Sequence, residues 1–158
     1  MNIGTAENRT IDARNPRTGE LDYSFEVTPT SEIENTANEL RANQPKWAAL
    51  TVDERADILR EWARIVSKSS DLLEALVTDT GRYFIATAEI ENLAKSIEGW
   101  HMIGRQVFAE QEPIQSSHPS VIYSHQYKPF EVVGIVGPWN FPFLISLIAC
   151  SIVGLGVM

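Results

Sequence analysis

A single cysteine, Cys150, stands in a chain of 158 residues. One thiol closes no internal disulfide and builds no cysteine-based zinc site, so packing must hold the fold. A reducing compartment, the cytoplasm, is the expected location. Basic residues are scarce as well: 13 Lys and Arg face 21 Asp and Glu, for a formal net charge of −8. No basic cluster offsets that balance, and phosphate backbones repel such a chain, which argues against nucleic acid as a partner. Of the 3 histidines, His118 and His125 flank a proline at a separation that matches no common ligand pattern, so no metal is expected. His101 reads as a packing or surface residue. The stretch Met1-Asn2-Ile3-Gly4-Thr5-Ala6-Glu7 has neither a basic nor an apolar region of the secretory kind. Asn8-Arg9-Thr10 is therefore read as a chance glycosylation sequon. Internal repeats and low-complexity tracts are absent.

What is present is the composition of a folded domain, 44% hydrophobic and 22% charged. The length allows one ordinary domain with a core. Residues 1–10 are polar and expected to be flexible. Asn15-Pro16-Arg17-Thr18-Gly19-Glu20 predicts a turn between strand-like pieces near 9–14 and 21–27. Ser31-Glu32-Ile33-Glu34 has the capping-box pattern and predicts a helix to about Asn43, with Pro45 ending it. Thr51-Val52-Asp53-Glu54 is a second capping box, opening a helix with Ile58, Leu59, Trp62, Ile65 and Val66 on one face. Ser70 is expected to cap a third helix, with Leu72, Leu73, Leu76 and Val77 inward and Gly81 as its C-cap. A fourth, near 84–105, places Ile90, Leu93, Ile97 and Trp100 on one stripe. Trp47, Trp62 and Trp100 are expected in core or interface packing.

The pattern changes near residue 112. Pro113 and Pro119 interrupt helix, and Val121, Tyr123, His125 and Tyr127 alternate as a projecting strand over 120–128. Lys128-Pro129-Phe130 turns the chain. Residues 131–137 read as a short buried strand of a parallel sheet, and Pro138-Trp139-Asn140-Phe141-Pro142 closes it. The apolar run 143–158 is the next helix. Residues 132–158 hold no charge, but Pro138 and Pro142 split them. The uninterrupted remainder is shorter than the about 20 residues a spanning helix needs, so a buried helix is expected rather than a membrane anchor. Cys150, inside this run, reads as an inert core residue. Gly154-Leu155-Gly156 hints only weakly at a dinucleotide fingerprint.

The chemistry-bearing segment is Gly134-Ile135-Val136-Gly137-Pro138-Trp139-Asn140-Phe141-Pro142. The carboxyl ends of parallel strands are where α/β proteins place ligands. Two prolines stiffen the loop, which suits a preorganised donor, the Asn140 amide. From spacing alone, a plain turn residue is the simpler reading of Asn140.

The whole string, however, resembles the strand-to-loop signature of the NAD(P)-dependent aldehyde dehydrogenase superfamily. Asn15-Pro16 through Gly19-Glu20, Trp47-Ala48-Ala49-Leu50, Glu54-Arg55, Ile58-Leu59 and Thr80-Gly81-Arg82 are similar to that family in order and spacing. The resemblance covers roughly 11–147. It implies an α/β chain organised as the amino-terminal part of that fold. In this scheme 11–119 form a hairpin and helical layer, 120–130 a bridging segment, and 131–158 the first strand, loop and helix of a Rossmann-like cofactor domain, truncated. The resemblance implies that Asn140 donates to the oxyanion of a cysteine thiohemiacetal. The same resemblance implies that Val136, Gly137, Pro138 and Trp139 would line the cleft for NAD or NADP, that Phe141 would wall the aldehyde channel, and that the bridging strand would make homo-oligomers, dimers or tetramers.

The same resemblance marks departures. The family's Gly-Gln-x-Cys nucleophile, its Glu-Leu-Gly-Gly base and its Lys-Pro-Ser-Glu ribose segment do not occur in these 158 residues. The match fades after Leu147 or Ile148, a pattern that a reading-frame shift would produce. The expectation is thus an incomplete enzyme, inactive alone and prone to aggregate through exposed edges. The rival readings are a non-catalytic fragment docking on full-length subunits by strand addition, and a membrane-anchored helical protein.

Overall fold

A computed structural model of the chain describes residues 9–109, 113–124 and 127–156. The flexible start expected over 1–10 falls almost wholly outside these residues, as do His125 and the last two positions.

The chain opens with the expected hairpin, β1 (Thr10–Arg14) antiparallel to β2 (Leu21–Glu26). Its turn is built by Asn15, whose Oδ1 accepts from the Arg17 and Thr18 amides at 3.0 and 3.2 Å. Gly19 sits at φ +77°, a left-handed position that a Cβ disfavours. The hairpin is tied to the helices by the Tyr23 hydroxyl, which donates to Asp79 at 2.9 Å.

Helix α1 (Thr30–Ala48) runs past Pro45, which lies inside it, and Ser31 forms no capping box. Both differ from the sequence reading. A proline removes one backbone donor, but Trp47 lies beyond it and its indole Nε1 donates to the Gly154 carbonyl at 2.9 Å. That long-range anchor holds the last turn in helix.

Helix α2 (Val52–Val66) starts on the expected box: Thr51 accepts from the Glu54 amide, and Glu54 accepts from the Thr51 amide at 2.8 Å. Its inward face is Ala56, Leu59, Trp62, Ala63 and Val66, while Ile58 and Ile65 are exposed, contrary to expectation. The helix turns its alanines toward its neighbours and so lets them approach closely. Helix α3 (Ser70–Thr80) is capped by Ser69 rather than Ser70, and ends on Gly81 at φ +65°.

Helix α4 (Tyr83–Val107) crosses α2, α3 and α5 (Leu144–Leu155). Leu93 and Ile97 pack with Ala63, and Leu59, Trp62, Val66, Phe143 and Leu147 close around them. Along α5 and its cap, Phe143, Leu147, Ser151 and Leu155 recur every four residues on the packed face, the spacing of one helix stripe. Gly154 and Gly156 belong to this packing: the first lies against Leu59 and Trp47, and the second is a left-handed C-cap. They form no dinucleotide turn. Among the described residues no helix is long and apolar enough to cross a membrane.

Between α4 and α5, β3 (Ile114–Gln115) pairs antiparallel with β4 (Ile122–Tyr123). The expected strand over 120–128 is thus reduced to two residues among those described. The expected buried parallel strand over 131–137 is also corrected: it has no strand partner among the described residues, and Val136 is 98% exposed. A strand is defined by its hydrogen-bonded neighbours, and no described strand pairs with it.

A polar seam joins α2 to α4. Arg60 forks onto Glu98 at 2.6 and 2.8 Å, reaches Asp57 at 2.7 Å, and donates to His101 Nδ1 at 2.8 Å. A guanidinium only donates, so Nδ1 accepts, and Nε2–H donates to Asp53 at 2.6 Å. The hydrogen bond from His101 holds the Asp53 carboxyl below its usual range. The Thr51 amide does the same for Glu54, Arg64 for Glu61, and Arg60 for Glu98. Groups depressed in the folded state stabilise it above the ordinary carboxylate pKa of about 4, and that contribution is lost as pH falls below it. Urea midpoints are expected to drop between about pH 5 and about pH 3, and to drop less steeply in Glu98→Gln than in the parent chain. At neutral pH, Thr51→Ala should cost about 1 kcal/mol in the same urea assay.

Candidate functional site

The segment before α5 lines a groove together with residues of α1 and α5. Val132, Val133 and Ile135 are half-buried against them, whereas Gly134 and Val136 face outward. Leu40 and Trp47 from α1 and Cys150 and Val153 from α5 form the walls of the apolar groove beneath. Cys150 is exposed rather than buried in the core. Its apolar surroundings push the thiol above its usual pKa, the opposite of an activated nucleophile.

Gly137 begins the turn toward α5. A Cβ there would collide with Ser146 Oγ and lie 3.3 Å from the Pro142 carbonyl. Ser146 in turn donates to that carbonyl at 2.8 Å. The loop is therefore folded down on the first turn of α5, at a separation only glycine allows. Pro138, Trp139 and Asn140 are exposed on its crest, with Trp139 80% exposed, while Phe141 and Pro142 are half-buried. All six residues singled out from the sequence, Val136 through Phe141, thus lie on one short loop. Val136 and Trp139 present apolar surface beside Gly137 and Pro138, without a charged group among the four.

Two residues of the α4 start hold this loop, and both escaped the sequence reading as site residues. Arg82, the N-cap of α4, donates from its guanidinium to the Asn140 carbonyl and lies 5.7 Å from the Phe141 ring centroid. Glu89, fully buried, accepts from the Phe143 and Leu144 amides at 3.0 and 2.8 Å through Oε2. Helix α5 has no capping side chain of its own: Phe143 stands at the N-cap. Its first free amides are met instead by a carboxylate from another helix, which also faces the positive end of the helix dipole. A signal for Glu89 did exist. It falls on the stripe Ala86, Leu93, Ile97, where an acid must find donors.

Gly137→Ala should destabilise the chain by about 1–3 kcal/mol through overpacking. Added to that variant, Ser146→Ala should restore part of the loss, because it removes the atom met first. Thermal melts of the two single variants and the double variant measure this coupling, and strict additivity would contradict the close approach.

The aldehyde dehydrogenase family profile matches residues 3–153. Among solved structures, a protein from Anabaena variabilis with the provisional name aldehyde dehydrogenase PutA superposes with a TM-score of 0.77 at 32% sequence identity. The match covers 89% of this chain and 32% of that one, so the chain spans about a third of that relative's length. The helix-rich mixed fold is that of the amino-terminal part of an aldehyde dehydrogenase. The chain belongs to the aldehyde dehydrogenase family, a family of oxidoreductases.

Proposed function

We propose that this chain supplies the amino-terminal share of an NAD(P)-dependent oxidation of an aldehyde to a carboxylic acid. The observation that carries the reading is Asn140, exposed on the crest of a loop held at its own carbonyl by Arg82 and at the Pro142 carbonyl by Ser146. An amide donor held in advance stabilises charge as it develops, without reorganising at the moment of reaction. In this role the Asn140 side chain donates to the oxyanion formed when a thiolate adds to the aldehyde carbonyl. Phe141 walls the aldehyde's approach. Val136, Gly137, Pro138 and Trp139 form the ledge against which the cofactor's uncharged end rests. The cofactor, when bound, supplies the hydride acceptor, while the protein positions and polarises.

The thiolate does not come from Cys150, whose thiol is raised rather than activated. Neither a Gly-Gln-x-Cys nor a Glu-Leu-Gly-Gly segment occurs in these 158 residues. The reading therefore makes the chain inactive on its own, in a family whose reaction needs a nucleophile and a base. The β3–β4 ribbon, with Ile114, Ile122 and Tyr123 exposed, is the bridging element through which subunits would pair as dimers or tetramers. That exposed ribbon also favours the second reading, a non-catalytic fragment that docks on full-length subunits by strand addition.

The purified chain, given NAD+ or NADP+ with an aliphatic or aromatic aldehyde, should form no NAD(P)H; clear turnover would overturn its assignment as inactive alone. Grafted in place of the matching segment of an active family member, residues 9–156 should support turnover. In that graft Asn140→Ala should lower kcat by about 100-fold or more. A graft that turns over equally well with and without the substitution removes Asn140 from the reaction. Co-elution of the free chain with intact subunits would favour the docking fragment.

A further inference from the structure

We infer that Arg82 and Glu89 are positioning residues that hold the Asn140 loop in its working shape. The inference rests on the reading of Asn140 as the oxyanion donor. It concerns the order of the loop rather than the chemistry performed on it.

The loop has two tethers to α4, one on each side of Pro142. Upstream, the Arg82 guanidinium takes the main-chain carbonyl of Asn140 itself and lies near the ring of Phe141. Downstream, Glu89 takes the amides of Phe143 and Leu144. Arg82 stands at the N-cap of α4 and Glu89 two turns further along the same helix. One rigid element thus fixes both flanks of the short stretch between them. With its carbonyl engaged, Asn140 has its peptide plane set, and the plane sets where its side chain starts. Neither α4 residue carries out chemistry. Both act through Asn140, by limiting the conformations from which its amide donates.

Burial supports a dedicated role. Glu89 is 0% exposed, and a carboxylate so placed is tolerated only where donors meet it. Its Oε1 and the Arg82 Nε remain buried without a partner among the described residues. A helix built for stability alone is better served by an apolar side chain on the stripe of Ala86, Leu93 and Ile97. Glu89, which stands there instead, and Arg82 at the N-cap both reach the same loop.

The test uses the 158-residue chain labelled with 5-fluorotryptophan, the Trp139 resonance being assigned by its loss in Trp139→Phe. Site-resolved amide exchange is measured in parallel. Glu89→Ala should speed exchange at Phe143 and Leu144 by about tenfold or more, with α2 and the Leu93–Ile97 part of α4 unchanged. Arg82→Ala should shift or broaden the Trp139 resonance, again with α2 unchanged. The conservative variants Glu89→Gln and Arg82→Lys, which keep an acceptor and a donor, should restore part of each effect. Unchanged signals in both alanine variants overturn the inference. So does a uniform acceleration across α2, α4 and α5, or the absence of any rescue, since either marks a purely structural role. If Glu89→Ala does not fold, Arg82→Ala and Arg82→Lys decide by the same criteria. Asn140→Ala should leave Phe143 and Leu144 protected, so the tethers and the catalytic reading of Asn140 fail separately.

Discussion

Helix α5 begins on Phe143, an apolar residue that can cap nothing, and the carboxylate of Glu89 supplies what that start lacks. The arrangement solves two problems together. A buried acid costs several kcal/mol unless donors surround it. The first amides of a buried helix are orphans unless an acceptor reaches them. Glu89 Oε2 meets both amides while Oε1 is left without a partner among the described residues, and the helix dipole adds to the attraction. With α5 seated, Leu147 and Phe143 close the core over Leu93 and Ile97. With its first turn fixed, Ser146 is in place to hold the Pro142 carbonyl. The Gly137 turn can then fold down on it. The crest that carries Trp139 and Asn140 is the outcome of that sequence of constraints.

The remainder of the fold hangs on this centre with decreasing tightness. The α2–α4 seam is packed by alanines and edged by the Arg60, Glu98, His101 and Asp53 network. Helix α1 buries no residue and is attached chiefly at its last turn, through Trp47 to Gly154. The hairpin touches α3 through Tyr23 and Asp79. Outermost lie β3–β4 and the 130–136 segment, with apolar side chains such as Ile122, Phe130 and Val136 exposed. The gradient matches the family assignment, in which about a third of a larger relative is represented.

Local rules were legible in the sequence where the deciding chemistry is local. The Thr51–Glu54 box, the Gly81 cap, the Asn15 turn and the α4 stripe depend on residues within a turn or two of one another. Two local readings missed, the Ser31 box and the Ser70 cap, where the helices start at Thr30 and on Ser69 instead. The other readings that missed depend on distant partners. Pro45 ends no helix because Trp47 is held by a glycine more than a hundred positions away. Ile58 and Ile65 point outward because Ala56 and Ala63 allow the closer approach of α4 and α5. Residues 131–137 have the composition of a buried strand, but composition cannot provide neighbours. The candidate loop, from Val136 to Phe141, stands out in the sequence because its string is distinctive. Its supports, Arg82 and Glu89, were not, because a cation at a helix start and an acid in a helix are ordinary until their long-range partners are known.

The most direct measurement is the scalar coupling across the hydrogen bonds between the Glu89 side-chain carboxyl carbon and the backbone nitrogens of Phe143 and Leu144. It is recorded on the folded, isotopically labelled chain. Cross-peaks from both amides to Glu89 are the predicted result. Protected amides that couple to a different carbonyl, with none to Glu89, would contradict the account at its centre.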